Sequence, residues 1–415
     1  MTIERTEERR PSAYAWLVLA TLCVVGCLNY LDRMMIATMR SSILEEIPMT
    51  ETQFGLLTSV FLWIYGLLSP VAGFLADRLG KSKGIIGSLF VWSLVTWLTS
   101  RATSFEELLV TRALMGVSEA CYIPAALALI MEYHCGKTKS MATGIHQGGI
   151  MIGQSLGFVG GWLAENHSWN FAFVVFGGFG VLYSLVLAFV LRDPKEEIKT
   201  KAEVRHSSFM VTVLSLFKQK SYAMVVVYWS LISIIGWLVA GWLPTYFKEH
   251  FSLSQSVAGV YSTGYYYTAS FVGVLIGGYL SDRWSRTNPL ARILVPMLGL
   301  MLGAPAIFAA SNTTILGVAV VCFMIYAFTR SFTDANMMPI LSMIVDGRYR
   351  ATAYGVLNLF SCIVGGIGIY AGGVLRDAKV ELSVIFQVAS GLVVICILVL
   401  WYLKKQNDQP MNVNQ

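Results

Sequence analysis

Charge is scarce in this chain. Only 13% of its 415 residues are Asp, Glu, Lys or Arg, against roughly 25% in a soluble globular domain. So few charges cannot cover a water-soluble particle of the two or three domains that the length would otherwise suggest. Histidine is scarcer still, with 5 in the whole chain, and the 7 cysteines form no CxxC pair and no Cys/His ligand spacing. That excludes a disulfide framework and a metal cluster. Cys23, Cys27, Cys121, Cys322, Cys362 and Cys396 lie in apolar runs, where they read as small packing residues. No Ser/His/Asp constellation or cofactor fingerprint appears. The glycine-rich runs are not phosphate loops, because they sit in apolar segments with no Lys-Ser/Thr following. The expectation is a protein that is not an enzyme, uses no cofactor and has no nucleic-acid partner.

What the chain does have is apolar length. Hydrophobic residues make up 56% and the mean hydropathy is +0.63. The apolar runs are continuous rather than alternating, which excludes an outer-membrane barrel and points to spanning helices of roughly 20 residues. The first run, 13–38, is too long for the apolar core of a cleavable signal and ends on charge, so it reads as a span. Twelve spans are predicted, near 13–38, 53–76, 84–101, 107–131, 140–164, 169–191, 221–246, 256–280, 291–311, 314–342, 352–375 and 381–403. The expected class is an all-α membrane protein of two pseudo-symmetric six-helix halves. Its boundaries fall at 1–191 (amino-terminal half), 192–220 (cytoplasmic linker), 221–403 (carboxyl-terminal half) and 404–415 (cytoplasmic tail). The lipid bilayer is a partner, and a single chain holding both halves makes a monomer the default.

The 30 Lys and Arg residues fix an orientation. With both ends in the cytoplasm, only Arg40, Arg101, Lys248, Arg376 and Lys379 fall outside, and Arg33, Arg112 and Arg330 fall within spans. The net charge of +6 then reflects topology. Short polar ends suit a bacterial inner (plasma) membrane.

The two halves echo each other. Gly73-Phe-Leu-Ala-Asp77-Arg78 follows the second span and Gly278-Tyr-Leu-Ser-Asp282-Arg283 the eighth. Glu119 and Asp334, in the fourth and tenth spans, each have an alanine next to them and a proline five residues on, Pro124 and Pro339. Signals repeated six spans apart imply two repeats related by an axis along the membrane normal, with a site between them near the midplane.

The stretch Gly73 to Lys83, with Asp77-Arg78, Gly80 and Lys81, resembles the loop signature of the major facilitator superfamily, and the second copy keeps Gly278, Asp282 and Arg283. More narrowly, Asn29-Tyr30-Leu-Asp32-Arg33, Arg112 to Glu119-Ala120 and Trp242-Leu-Pro244-Thr-Tyr246 resemble the anion:cation symporter family, which includes sugar-acid and hexuronate permeases, sialin and the vesicular glutamate carriers. The spinster-type lipid transporters share the first motif and Glu119-Ala120-Cys121-Tyr122. The resemblance implies a proton-coupled symporter of a small organic anion such as a sugar acid, working by alternating access; its competitor is a carrier of lysolipid or another amphiphile. It also implies that Asp77 and Arg78 latch the cytoplasmic helix ends, with Gly73, Gly278, Asp282 and Arg283 in the same motif.

The six embedded charges carry the functional reading, because each costs about 2.5–3.5 kcal/mol at the bilayer centre on insertion scales. Arg33 is a carboxylate clamp or an ion pair with Glu119 or Asp32, since guanidinium binds carboxylate bidentately and keeps its charge. Arg112 is either a second anion contact or a tie between spans 1 and 4. Arg112 and Glu119 are seven residues apart, hence on nearly one face about 10.5 Å apart, with room for an anion between them. Glu119 is the leading proton carrier and Asp32 the second. Arg330 and Asp334 are i,i+4 and pair with each other. Tyr30, Tyr65, His146, Gln147, Asn358 and Tyr265 are polar groups placed to line a cavity. The glycine runs of spans 5 and 11 read as rocking surfaces.

Overall fold

A computed structural model describes residues 12–134, 138–193, 209–346 and 349–408, and their side chains except at 70–79, 139, 140, 209–212, 351, 407 and 408. Among the described residues the chain is helical and contains no strand. The first set of helices is α1 (Ala13–Thr38), α2 (Arg40–Glu46), α3 (Glu51–Leu79), α4 (Lys81–Thr99), α5 (Phe105–Glu119), α6 (Tyr122–Tyr133), α7 (Thr138–Ser155), α8 (Phe158–Asn166) and α9 (Trp169–Val190). A short α10 (Phe209–Phe217) precedes the second set. That set is α11 (Lys220–His250), α12 (Gln255–Gly259), a π turn (Val260–Tyr265), α13 (Tyr266–Ser285), α14 (Ala291–Asn312), α15 (Leu316–Ile344), α16 (Arg350–Asp377) and α17 (Leu382–Asp408). Among the described residues, 9 stretches are long and apolar enough to cross a bilayer. The expected spans 84–101, 140–164 and 256–280 fall outside that criterion, yet are helical over α4, α7–α8 and α12–α13.

At one end each set is closed on itself by a local tie. Tyr14 donates to the Val190 carbonyl at 2.8 Å, and Ser221 to Gln406 Oε1 at 3.1 Å. We call this the terminal end. At the far end, helices begin on side-chain caps: Thr50 accepts from Gln53 N at 3.1 Å, Ser168 from Phe171 N at 3.0 Å and Ser254 from Val257 N at 3.3 Å. These hydroxyls satisfy amides that have no helical partner.

The fourth predicted span is one apolar stretch, Phe105–Tyr133. Its hydrogen-bond ladder is interrupted between α5 and α6 at Ala120-Cys121, immediately after Glu119, while both residues keep right-handed helical backbone angles. Pro124 has no N–H to return to the Ala120 carbonyl, so the ladder is interrupted there.

In the glycine run of α7–α8, a Cβ on Gly153 would lie 2.1 Å from the Cys27 carbonyl, one on Gly149 2.7 Å from the Cys23 carbonyl and one on Gly160 2.5 Å from Met35 Cβ. That run seats α1 of its own set and also lies against the second set, since a Cβ on Gly148 or Gly157 would lie 3.5 Å from Phe271 or Thr263. The run in α16 also lies between the sets: Gly366 and Gly373 face Trp63 and Glu51 of α3, while Gly365 and Gly372 face Trp237 and Trp242 of α11.

The far end is closed across the sets by charge. Glu51 of α3 receives Arg40 and, at 3.4 Å, Arg376 of α16. Glu249 of α11 receives Arg40 at 3.4 Å and Arg376 at 2.9 Å. Asp377 accepts from the Glu51 and Thr52 amides at 3.0 and 2.9 Å, capping α3 from the other set. Both guanidiniums rest over the buried Trp242 ring, at 6.0 and 5.7 Å.

Two predictions follow from this packing. Gly153→Ala drives a methyl into the Cys27 carbonyl, and should lower stability by about 1–3 kcal/mol, the usual range for overpacking. Gly144→Ala, with nothing within 4 Å, should be neutral in the same thermal denaturation in detergent. Glu249→Gln should loosen the far end. Spin labels at Glu45 and Glu381, both exposed, would report a new longer-distance population; an unchanged distribution would show that the charges do not hold the closure.

Candidate functional site

The embedded charges of the first set converge. Asn29 and Arg33 are one helical turn apart on α1 and point at α5. Arg33 Nε and Asn29 Nδ2 both donate to the same oxygen, Glu119 Oε2, at 2.8 Å each. The other carboxylate oxygen, Oε1, is buried without a partner. The expected spacing between Arg112 and Glu119 on one helix is thus resolved by a third group: Glu119 pairs across to Arg33, at side-chain exposures of 2% and 0%.

Aromatic rings fill the rest of the Arg33 surroundings. Its guanidinium carbon is 4.5 Å from the Tyr30 ring centroid, 4.3 Å from Tyr65 and 4.9 Å from Phe61. Such stacking suits a planar, weakly hydrated cation. Nη2 of Arg33 stays without a partner. Arg112 lies on the other flank of this group, with its guanidinium carbon 5.0 Å from the Phe61 centroid. It is 1% exposed, reaches only the Met115 sulfur at 3.3 Å, and its Nε is unpartnered. Asp32 points away from Arg33, as adjacent helical residues do, and accepts from Thr96 at 3.4 Å with its second oxygen unpartnered.

Arg33 and Arg112 open on one small cavity of about 20 Å³ between the two sets. Thr58 and Phe61 of α3 complete its wall on the first set, and Trp237, Ala240 and Ile369 form the wall on the second. The far-end charge cluster lies beyond it.

The remaining predicted residues are placed as follows. Arg330 and Asp334 pair at 3.1 Å, against the backbone of Gly236. Gln147 is exposed and Asn358 half-buried. His146 is buried and bonds Tyr122 at 2.8 Å, so it serves helix packing rather than the cavity wall. Tyr265 is corrected: it is 45% exposed and packs on Tyr261. The π turn ending at Tyr265 shifts the helical phase, so Tyr266 and Tyr267 are the buried phenols. Asp282 is exposed, and Arg283 bonds Tyr279 of its own helix at 3.0 Å. Gly278 faces Ala335 at 3.9 Å. Gly73, Asp77 and Arg78 fall where side chains lie outside the described residues. Sequence reasoning missed Phe61, Trp237 and the far-end cluster, and named Asn29 without a role. Asn29 carried a signal, four residues before Arg33; Phe61 carried none.

The family model described as Major Facilitator Superfamily matches residues 22–369 and 237–415. Spinster homolog 1 of Xenopus tropicalis is 28% identical over 389 residues, covering 87% of this chain and 72% of that protein. The D-galactonate transporter of Escherichia coli is 26% identical over 382 residues, covering 86% and 87%. The probable sulfoacetate transporter of Cupriavidus necator is 26% identical over 403 residues, covering 91% and 90%. A solved bacterial homolog of the human lysosomal transporter Spinster, inward-facing and occupied, superposes with a TM-score of 0.78 at 20% identity, covering 95% of this chain and 97% of that one.

The buried pair generates a prediction that needs no ligand. Arg33→Ala strands an ionised Glu119 and should cost about 3–5 kcal/mol of stability. Adding Glu119→Gln should recover most of that loss. Denaturant unfolding of the four species of the cycle checks it, and additive losses would mean that the two groups do not support each other.

Proposed function

The chain belongs to the Major Facilitator Superfamily and is a membrane transporter of that superfamily, and we propose that it carries a small organic anion together with protons by alternating access. The observation that carries this reading is the pair of buried arginines on one cavity between the sets, with Arg33 held by the carboxylate of Glu119. An incoming carboxylate and Glu119 compete for the same guanidinium. Ionised, Glu119 keeps Arg33; protonated, it releases Arg33 to the anion. Proton and anion then promote each other's binding, and linkage makes the effect reciprocal. Asp32, on Thr96, is the second proton site.

The two buried guanidiniums on the cavity wall favour a small anion over a lysolipid, because each offers charge-assisted donors to an acidic group. The relatives named for D-galactonate and sulfoacetate support an anion, and a sugar acid is the first member of the panel to try. The skew of Lys and Arg supports a cytoplasmic terminal end in a bacterial inner membrane. The functional unit is the single chain, since both sets contribute to the cavity.

Proteoliposomes test the coupling. A panel of small carboxylates and sulfonates is first screened for uptake under an inward proton gradient. Glu119→Gln, which mimics the neutral carboxyl, should retain counterflow exchange of the accepted anion and lose its gradient-driven accumulation. Accumulation by Glu119→Gln equal to the parent would remove Glu119 from the coupling and transfer that role to Asp32.

A further inference from the structure

The wall of the cavity restricts the kind of anion it accepts; this step rests on the reading above that an anion occupies it. The wall offers hydrogen-bond donors with almost nothing to receive one. Arg33 Nη2 and Arg112 Nε are buried donors without partners, and both residues line the cavity. Guanidinium has donors only. Thr58 carries the one side-chain hydroxyl among the described lining residues; it donates to the Gly55 carbonyl at 3.0 Å, so only its oxygen lone pairs remain, as an acceptor. Pro244 has no N–H, which leaves the Ala240 carbonyl as a second acceptor, on the opposite wall. Phe61, Leu62, Met34 and Ile369 are apolar.

A polyhydroxylated body fits this wall poorly. Each hydroxyl brings a donor, and a buried donor without an acceptor forfeits its desolvation energy. Carboxylate and sulfonate groups bring acceptors alone. Charge makes the same selection. Asp32 and Glu119 oppose Arg33 and Arg112 in the first set, two against two. When protons neutralise the acids, two buried cations face the cavity, and isolated buried charges are very costly. A ligand with one acidic group answers one of them. Both guanidinium carbons lie within 5.0 Å of the Phe61 ring centroid, so a short spacer reaches both.

We infer that the transported ligand is a compact anion with two acidic groups on a short, hydroxyl-poor body, one group on Arg33 and the other on Arg112. Three probes separate the alternatives in the intact chain: succinate, butyrate with the same carbon count and one acid, and D-galactonate with one acid and many hydroxyls. Binding by calorimetry in detergent should favour succinate over each of the others by about tenfold or more, the usual return on a second charge-assisted contact. Arg112→Gln should erase the advantage of succinate over butyrate. Equal affinities in the parent protein, or a preference for galactonate, overturn the inference whether or not the variant folds. The two readings fail separately. Galactonate uptake driven by the proton gradient would sustain proton-coupled anion transport and refute the two-acid ligand. Tight succinate binding with uptake indifferent to the gradient would do the reverse.

Discussion

The arrangement depends on a buried ion pair that is incomplete on both sides. Arg33 and Glu119 satisfy one another through a single contact at 2.8 Å, yet Arg33 Nη2 and Glu119 Oε1 remain unpartnered in the interior. A closed bidentate pair would be a static tie between α1 and α5. An open one leaves a donor for an anion and an acceptor for a proton, which is what coupling requires. The interior bears this cost because the surroundings divide it. Asn29 supports the carboxylate, and three aromatic rings support the guanidinium.

The local sequence builds the pair in two ways. On α1, the four-residue step from Asn29 to Arg33 puts both donors on one face. On α5, Glu119 is the last residue before the ladder interruption at Ala120-Cys121, where Pro124 lacks an N–H and the backbone angles stay helical. The carboxylate therefore sits beside a missing ladder hydrogen bond inside the bundle. Interior irregularity of this kind is tolerated where protein rather than lipid surrounds it.

Much of this was legible in the residues. Long apolar runs, the Lys and Arg skew and the repeated Gly-x-x-x-Asp-Arg motif pointed to paired helical sets. Single charges inside spans pointed to Arg33, Arg112, Glu119 and Asp32, because a charge there is costly enough to demand a reason. What was not legible depends on which neighbour a face meets. Phe61 is one phenylalanine among 22, and only the packing of α3 on α1 and α5 makes it the ring between two arginines. The run Tyr265-Tyr266-Tyr267 does not say in sequence which phenol turns inward; the π turn before it leaves Tyr266 and Tyr267 buried. The glycine runs of α7–α8 and α16 look alike in sequence, and only the packing shows which glycines meet their own set and which meet the other. Arg40, Glu51, Glu249 and Arg376 read as ordinary loop charges until the two sets bring them together.

The two ion networks differ in a way that separates chemistry from motion. Arg33 and Glu119 both belong to the first set, so rocking one set against the other leaves their pairing intact. Only a proton or a competing anion can open it. The far-end network joins the sets, so a motion that parts them there must break it. Its members are unequally open: the Glu249 side chain is 43% exposed, so water can replace its lost partners, while the Arg40, Arg376 and Glu51 side chains are only 10%, 15% and 21% exposed. Removing one member of a fully buried pair such as Arg33 and Glu119 costs about 3–5 kcal/mol. Between the two networks lie Trp237, Ala240 and Ile369, on α11 and α16, the helices that also bear Glu249 and Arg376. Under the proposed function, an anion that takes Arg33 from a protonated Glu119 and fills the space against those side chains presses on the same helices that carry the far-end charges, which links occupancy of the cavity to closure of the far end through α11 and α16.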